Sequence, residues 1–164
     1  MQTNRTGRVT KISGNMVTAE VDVNVIQNEV AYIKHGKESL KAEVIRIRGN
    51  KAETQVYEST IGLQVADTVE FTGELLSVEL GPGLLGQIFD GLQNPLPSLA
   101  QKHGFFLKRG EYLPALAQDS LWEFTPLAKA GDRVRAGAKL GFVTEKSFKH
   151  FIMAQFGITG IWEV

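Results

Sequence analysis

Gly81, Gly83 and Gly86, in the stretch LSVELGPGLLGQIFDGLQNPLP at residues 76–97, have the Gly-x-Gly-x-x-Gly spacing that can cradle a dinucleotide pyrophosphate. That chemistry needs a strand just before the glycines, a helix opening inside them and an acidic residue about 20 residues on. Pro82 stands at the first variable position, and Gly91, Pro95 and Pro97 interrupt any long helix. Residues 98–108 offer no strand ending in Asp or Glu to hold a ribose. The glycines therefore read as backbone bends rather than a cofactor cradle. No Gly-x-x-x-x-Gly-Lys-[Ser/Thr] occurs either, so no phosphate loop of that type is encoded.

The remaining reactive side chains are dispersed. His35, His103 and His150 have no metal-ligand partner at short spacing, and each reads as a lone exposed histidine. Lys34-His35-Gly36-Lys37 reads as a solvated hairpin tip, phosphate contact being its alternative use. Glu70, Glu74, Glu79, Asp90, Asp119, Glu123 and Asp132 form no acid/base pair by spacing, and structural roles are favoured for all seven. Asp90 and Asp132 stand at turn-like positions, where Asp caps its own backbone. Trp122 and Trp162 read as core or interface anchors. Gly131-Asp132-Arg-Val134-Arg-Ala-Gly137-Ala-Lys-Leu140-Gly141 resembles the second half of biotinyl and lipoyl carriers, which present a modifiable lysine at a tight hairpin tip. Lys146 and Lys149 read as lacking that setting, and Met153 flanks neither.

The elements that must position these residues are mainly β. Period-two apolar patterning and turn signals mark short strands at residues 8–13, 16–23, 29–34, 41–48, 52–57 and 67–72, with Gly14-Asn15 and Gly49-Asn50 as tight turns. Such a series implies a small antiparallel barrel or sandwich. Residues 76–103 are rich in glycine and proline. There the spacing of Leu84, Leu85, Ile88 and Phe89 suits a short helical turn stopped by Gly91, and residues 96–103 suit another closed by Gly104. Strand patterns return at 105–108, 121–125, 133–134, 139–143, 149–154 and 158–164. A last apolar strand reaching the final residue leads to the expectation that the chain is a piece of something longer.

Composition narrows the function classes. The 164 residues are 43% hydrophobic, enough for a packed core. Formal net charge is +0, against the basic stripe that a dedicated nucleic-acid binder needs. There are no cysteines, which removes disulfides, thiolate metal sites and a cysteine nucleophile. The polar N-terminus and the absence of a long apolar run point to a cytoplasmic protein without direct membrane insertion.

Glu43-Val44-Ile45 with Gly49-Asn50, then Gln55-Val56-Tyr57-Glu58-Ser59-Thr60-x-Gly62-Leu63, then Val78-Glu79-Leu80-Gly81-Pro82-Gly83-Leu84-Leu85 together resemble one family. It is the catalytic A subunit of V-type and archaeal-type rotary ATPases. The resemblance continues through Ile88-Phe89-Asp90-Gly91-Leu92-Gln93-x-Pro95-Leu96, Gly110, Trp122-x-Phe124-Thr125-Pro126, Gly131-Asp132 and Gly137. It implies a six-stranded β-barrel at 1–74, a connector with short helices at 75–104 and part of a β-rich, barrel-sandwich-like bulge at 105–164. In that family the barrels of A and B subunits pack into a ring, and the bulge projects toward the peripheral stalks. The P-loop, catalytic glutamate, ATP and Mg²⁺ belong to a domain beyond this chain, so no catalytic, cofactor or metal residue is carried over. The parent machine couples ATP hydrolysis or synthesis to proton or sodium movement, peripheral to the membrane. What the resemblance leaves to this chain is bends at Gly81, Pro82, Gly83, Asp90, Gly91 and Pro95. With them goes an apolar docking surface of Leu84, Leu85, Ile88 and Phe89. A stand-alone barrel binding single-stranded nucleic acid and a biotinyl or lipoyl-like carrier are the alternatives.

Overall fold

The computed structural model describes residues 5–22, 24–104, 106 and 108–164. They fall into two compact units. The first runs to Val78 and takes in Leu99–Tyr112; the second is Glu79–Ser98 with Leu113–Val164.

Six antiparallel strands make the first unit: β1 (Thr6–Ser13), β2 (Met16–Val21), β3 (Glu29–His35), β4 (Glu38–Arg48), β5 (Lys51–Val56) and β6 (Thr68–Leu75). They close into a barrel in the order β1-β2-β5-β4-β3-β6. Three of its hairpins turn on two residues with glycine first: Gly14-Asn15, Gly36-Lys37 and Gly49-Asn50, each glycine near φ +60°. A left-handed first position followed by an ordinary residue matches the twist of the flanking strands, which is why Gly precedes Asn or Lys here. Val17, Ala19 and Val21 of β2, Leu40, Ala42 and Val44 of β4, and Ala52, Thr54 and Val56 of β5 point inward and are buried. Four alanines (Ala19, Ala31, Ala42, Ala52) are fully enclosed, as a narrow six-stranded interior requires. Gly7 allows a close strand approach, since a Cβ there would meet Glu20 O at 2.6 Å and the Phe71 ring at 3.3 Å. Shifts of register beside Thr10 and Ile45 are β-bulges that tighten the curl. Thr54, the buried hydroxyl of the core, donates to Val17 O at 3.1 Å.

The barrel and helix were legible in outline, and part of the second half was not. The expected helix at 96–103 is α1 (Leu96–His103), and Gly104 ends it at φ +79° with its N–H donating to Ala100 O. The second unit carries a three-stranded sheet, β7 (Phe124–Pro126) beside β9 (Lys139–Glu145) beside β10 (Phe148–Met153). A two-stranded pair, β8 (Arg133–Val134) with β11 (Trp162–Glu163), completes it. Of the expected strand at 105–108, positions 105 and 107 lie outside the described residues, and Phe106 and Lys108 are not in a strand. Val23, expected in the second strand, also lies outside them. The expected strand at 158–164 shrinks to two residues, because Gly160 takes φ +83° and turns the chain.

Candidate functional site

The loop singled out by its glycines is held by side chains rather than by a helix. β6 ends at Leu75 and residues 76–80 form no strand, so the glycines do not follow one. Gly83 takes φ +105° and Gly86 φ +83°, bracketing Leu84 and Leu85. Two left-handed residues three apart cannot belong to a right-handed turn, and the expected helical turn over Leu84, Leu85, Ile88 and Phe89 is absent. A single turn forms instead, Gln87 N–H donating to Leu84 O at 3.2 Å. Gly81 is a tight approach: a Cβ there would lie 3.0 Å from Leu116 Cδ1. Gly91 has open space and no left-handed φ, so nothing in its surroundings requires glycine.

Asp90 organises the next turn. Its Oδ1 accepts from the N–H groups of Leu92 (2.9 Å) and Asn94 (2.8 Å), and its Oδ2 accepts from Asn94 Nδ2 (2.9 Å). Asp132 does the same at the other end of the unit, Oδ2 accepting from Lys129 N–H at 2.7 Å. Gln93, at φ +64°, pairs its amide with the Glu79 backbone in both directions at 2.7 Å. Phe89 bridges Pro95, which with Asn94 is buried, and Pro82 is half-buried. Leu84, Leu85 and Phe89 are half-buried, whereas Ile88 is 64% exposed. Leu85 N–H donates to Glu145 Oε1 at 3.3 Å, and Glu145, itself buried, has Oε2 2.7 Å from His150 Nε2 without hydrogen-bond alignment. A cavity of about 440 Å³ opens beside the loop, lined by Gly83, Gln87, Pro95, Ser98 and residues 113–119. Among the described residues no group of three or more His, Asp or Glu could hold a metal.

The histidines correct the sequence reading. His35 Nδ1 lies 3.0 Å from Asp67 Oδ2, His103 Nε2 lies 3.4 Å from Glu111 Oε2, and His150 faces Glu145. None is lone, and all three are half-buried. Trp122 and Trp162 are 36% and 56% exposed, so neither belongs to the core. Lys146 is also corrected: it stands first in the two-residue β9–β10 hairpin loop, at φ +53°. It has the hairpin tip but no flanking methionine.

Sequence reasoning missed two clusters in the first unit. Glu58 Oε2 accepts from Tyr112 OH at 2.7 Å, Glu58 also accepts from Gly110 N–H, and Tyr112 OH accepts from Lys41 N–H at 2.8 Å. Arg109 donates to Ser59 O, Ile61 O and Glu38 Oε2. Residues 109–112 are thereby clamped to the loop after β5, whose Tyr57-Glu58-Ser59-Thr60 string carried the resemblance. Burial and the Glu58 hydrogen bond push the Tyr112 phenol well up from its ordinary value. Burial and Glu43 push Tyr57 up to about 12, and burial raises Tyr32. The second cluster is Glu29, fully buried at the start of β3. Its Oε1 accepts from Ile26 N–H (2.7 Å) and Arg5 Nη2 (3.1 Å), and its Oε2 accepts from Gly73 N–H (2.5 Å). Only the separations of 24 and 44 residues to Arg5 and Gly73 hid it.

Comparison with known proteins agrees with this geometry. The family model described as the ATP synthase alpha/beta family, beta-barrel domain, matches residues 9–73. That of the ATP synthase alpha/beta subunit barrel-sandwich domain matches residues 113–163. The V-type ATP synthase alpha chain of Treponema denticola is 54% identical over 158 residues, covering 96% of this chain and 27% of that relative. The V-type ATP synthase alpha chain 1 of Treponema pallidum gives the same figures. The alpha chain of Borreliella afzelii is 56% identical over 153 residues, 93% of this chain and 27% of its own. The chain thus spans about a quarter of the length of the curated relatives it matches. These matches favour neither the nucleic-acid-binding nor the carrier alternative. With a closed six-stranded barrel under the first match and short sheets under the second, the chain belongs to the ATP synthase alpha/beta family, matching the N-terminal portions of V-type alpha chains.

Proposed function

We propose that this chain is the assembly region of a V-type rotary ATPase A subunit. The barrel contacts neighbouring A and B subunits in a ring, and the second unit reaches a peripheral stalk. The parent couples ATP hydrolysis or synthesis to proton or sodium transport at the cytoplasmic side of a membrane, holding ATP and Mg²⁺ with residues other than these. Among the described residues no helix is long and apolar enough to cross a membrane.

The observation that carries this reading is apolar surface left over after the barrel core is complete. Leu80 and Ile88 are 81% and 64% exposed, on the loop whose Asp90-fixed turn also carries Leu84, Leu85 and Phe89. Such a patch marks an interaction site, and Gly81, Pro82, Gly83 and Pro95 set the path of the loop that bears it. A closed barrel has no free strand edge, so its ring contacts run through outward side chains and rim loops rather than through strand addition.

The test is reconstitution of a full V-type A subunit, carrying Leu80→Glu with Ile88→Glu, with its B subunit. Native mass spectrometry should show intact rings for the parent sequence and depleted rings for the variant; equal ring yield removes the docking role. Titration calorimetry of the present chain with ATP should show no stoichiometric binding. Micromolar binding would sink the non-catalytic assignment.

A further inference from the structure

β9 and β10 build a second surface of the second unit, apart from the exposed loop residues Leu80 and Ile88. Phe142 and Phe151 are directly opposed across the two strands, their rings edge to face with centroids 6.3 Å apart. Lys149 Nζ stands 4.4 Å from the centre of the Phe142 ring, and Lys139 Nζ 4.0 Å from that of Phe151. The β10 register shifts at Met153, so that Met153 opposes Lys139 and brings that lysine to the face of the two rings. Both lysines are exposed, and Phe151 and Met153 are 40% and 41% exposed. Each ammonium sits over the electron-rich face of an aromatic ring. No carboxylate lies within ion-pair distance of either one among the described residues. In a chain of net charge +0 this is a local excess of two positive charges over an apolar strip.

We propose that this face docks an acidic amphipathic protein segment, its carboxylates meeting Lys139 and Lys149 and its apolar side lying on Phe142, Phe151 and Met153. Charge complementarity selects the occupant. A neutral apolar segment would leave two ammonium groups desolvated without partners, whereas carboxylates reaching them from the same side as an apolar strip satisfy both halves of the surface. A nucleic acid is held chiefly by many phosphate contacts, and two lysines in a chain of net charge +0 supply few of them. The inference is independent of ring assembly.

The experiment uses this chain and a fluorescent helical peptide with glutamates on one face and leucines on the other, followed by anisotropy. Binding is expected to weaken at least about tenfold in Lys139→Glu with Lys149→Glu, and to weaken with added salt. A peptide carrying lysines in place of the glutamates should then prefer the doubly reversed variant. Lys139→Gln with Lys149→Gln, which leaves the rings in place, should fall between them, and unchanged tryptophan emission shows that the second unit is folded. Equal binding by parent and reversed chains, or none by either, overturns the proposal. Tighter binding of a single-stranded oligonucleotide or of anionic phosphatidylserine vesicles than of the peptide also overturns it, by assigning the face to another class of partner. Because ring formation is measured separately, failure here leaves the assembly reading standing.

Discussion

Replacing Glu29 by alanine is expected to uncouple the stability of the barrel from that of the second unit. The carboxylate is wholly enclosed and takes hydrogen bonds from two backbone N–H groups and one guanidinium. Alanine takes the charged acceptor away from the part-buried Ile26 and Gly73 N–H groups, at about 1.5–3 kcal/mol each. It also strands Arg5, whose side chain is 23% exposed and so recovers part of its hydration. Truncating one member of a buried pair costs about 3–5 kcal/mol by mutational precedent, which agrees with that sum. A domain is stable by about 5–15 kcal/mol in all, so the loss is a large share of the barrel's stability. Glu29→Gln keeps the shape and one acceptor but sets an amide donor against another donor, and should lie between. The readout is built into the sequence. All three tyrosines (Tyr32, Tyr57, Tyr112) belong to the first unit, and both tryptophans (Trp122, Trp162) to the second. In urea, tyrosine near-ultraviolet dichroism should shift to lower denaturant while tryptophan emission keeps its midpoint. An Arg5→Ala/Glu29→Ala cycle should return a coupling of about 1.5–3 kcal/mol. A tyrosine transition in Glu29→Ala within about 1 kcal/mol of the parent would refute the reasoning, since that is no more than an average point substitution costs.

Three further outcomes follow from the same structure. All three phenols are raised above 10.0, so their contribution is fully present below pH 10 and is lost as pH climbs toward about 12 for Tyr57. A spectrophotometric titration should show tyrosinate appearing late and together with loss of the barrel's dichroism; free titration near pH 10 in the folded chain would contradict it. Gly73→Ala places a methyl group against the Arg5 guanidinium at φ +75°, and should cost at least about 1–2 kcal/mol in the tyrosine-monitored transition. Tyr112→Phe removes the hydroxyl that joins Glu58 to Lys41, and should make residues 108–112 the first site of limited proteolysis at a cost of about 1–2 kcal/mol. Unchanged cleavage would show that Arg109 and Gly110 hold the segment without the Tyr112 hydroxyl.

The sequence was informative wherever structure is local. Gly14-Asn15 and Gly49-Asn50 fixed hairpins because a left-handed first residue leaves few turn geometries open, and alternation in residues 17–21 marked the inward face of the barrel. Asp90 and Asp132 were legible as caps for the same reason, their acceptors reaching no more than four residues away. The spacing of Leu84, Leu85, Ile88 and Phe89 misled because it records apolarity but not the sign of φ at Gly83 and Gly86. Glu29, Glu58 and the three histidines were opaque. Their partners are set by how strands and loops meet, and a charged residue that ends up enclosed is spelled no differently from a solvated one. The Lys139 placement needed the bulge at Leu140 opposite Met153, which no alternation pattern announces.

Barrel closure has a further meaning for engineering. Because β1 pairs with β6, Thr6 lies opposite Glu70, and Phe71 N–H donates to Arg5 O at 2.8 Å. The first and last strands of the barrel are therefore neighbours, joined by the β1–β6 ladder, the Arg5–Phe71 backbone hydrogen bond and the Arg5–Glu29–Gly73 cluster. The barrel is nonetheless not a segment that can be exchanged by itself. A swap for a relative's barrel has to carry residues 109–112 along, because Arg109, Gly110 and Tyr112 are bonded to Glu38, Glu58 and Lys41.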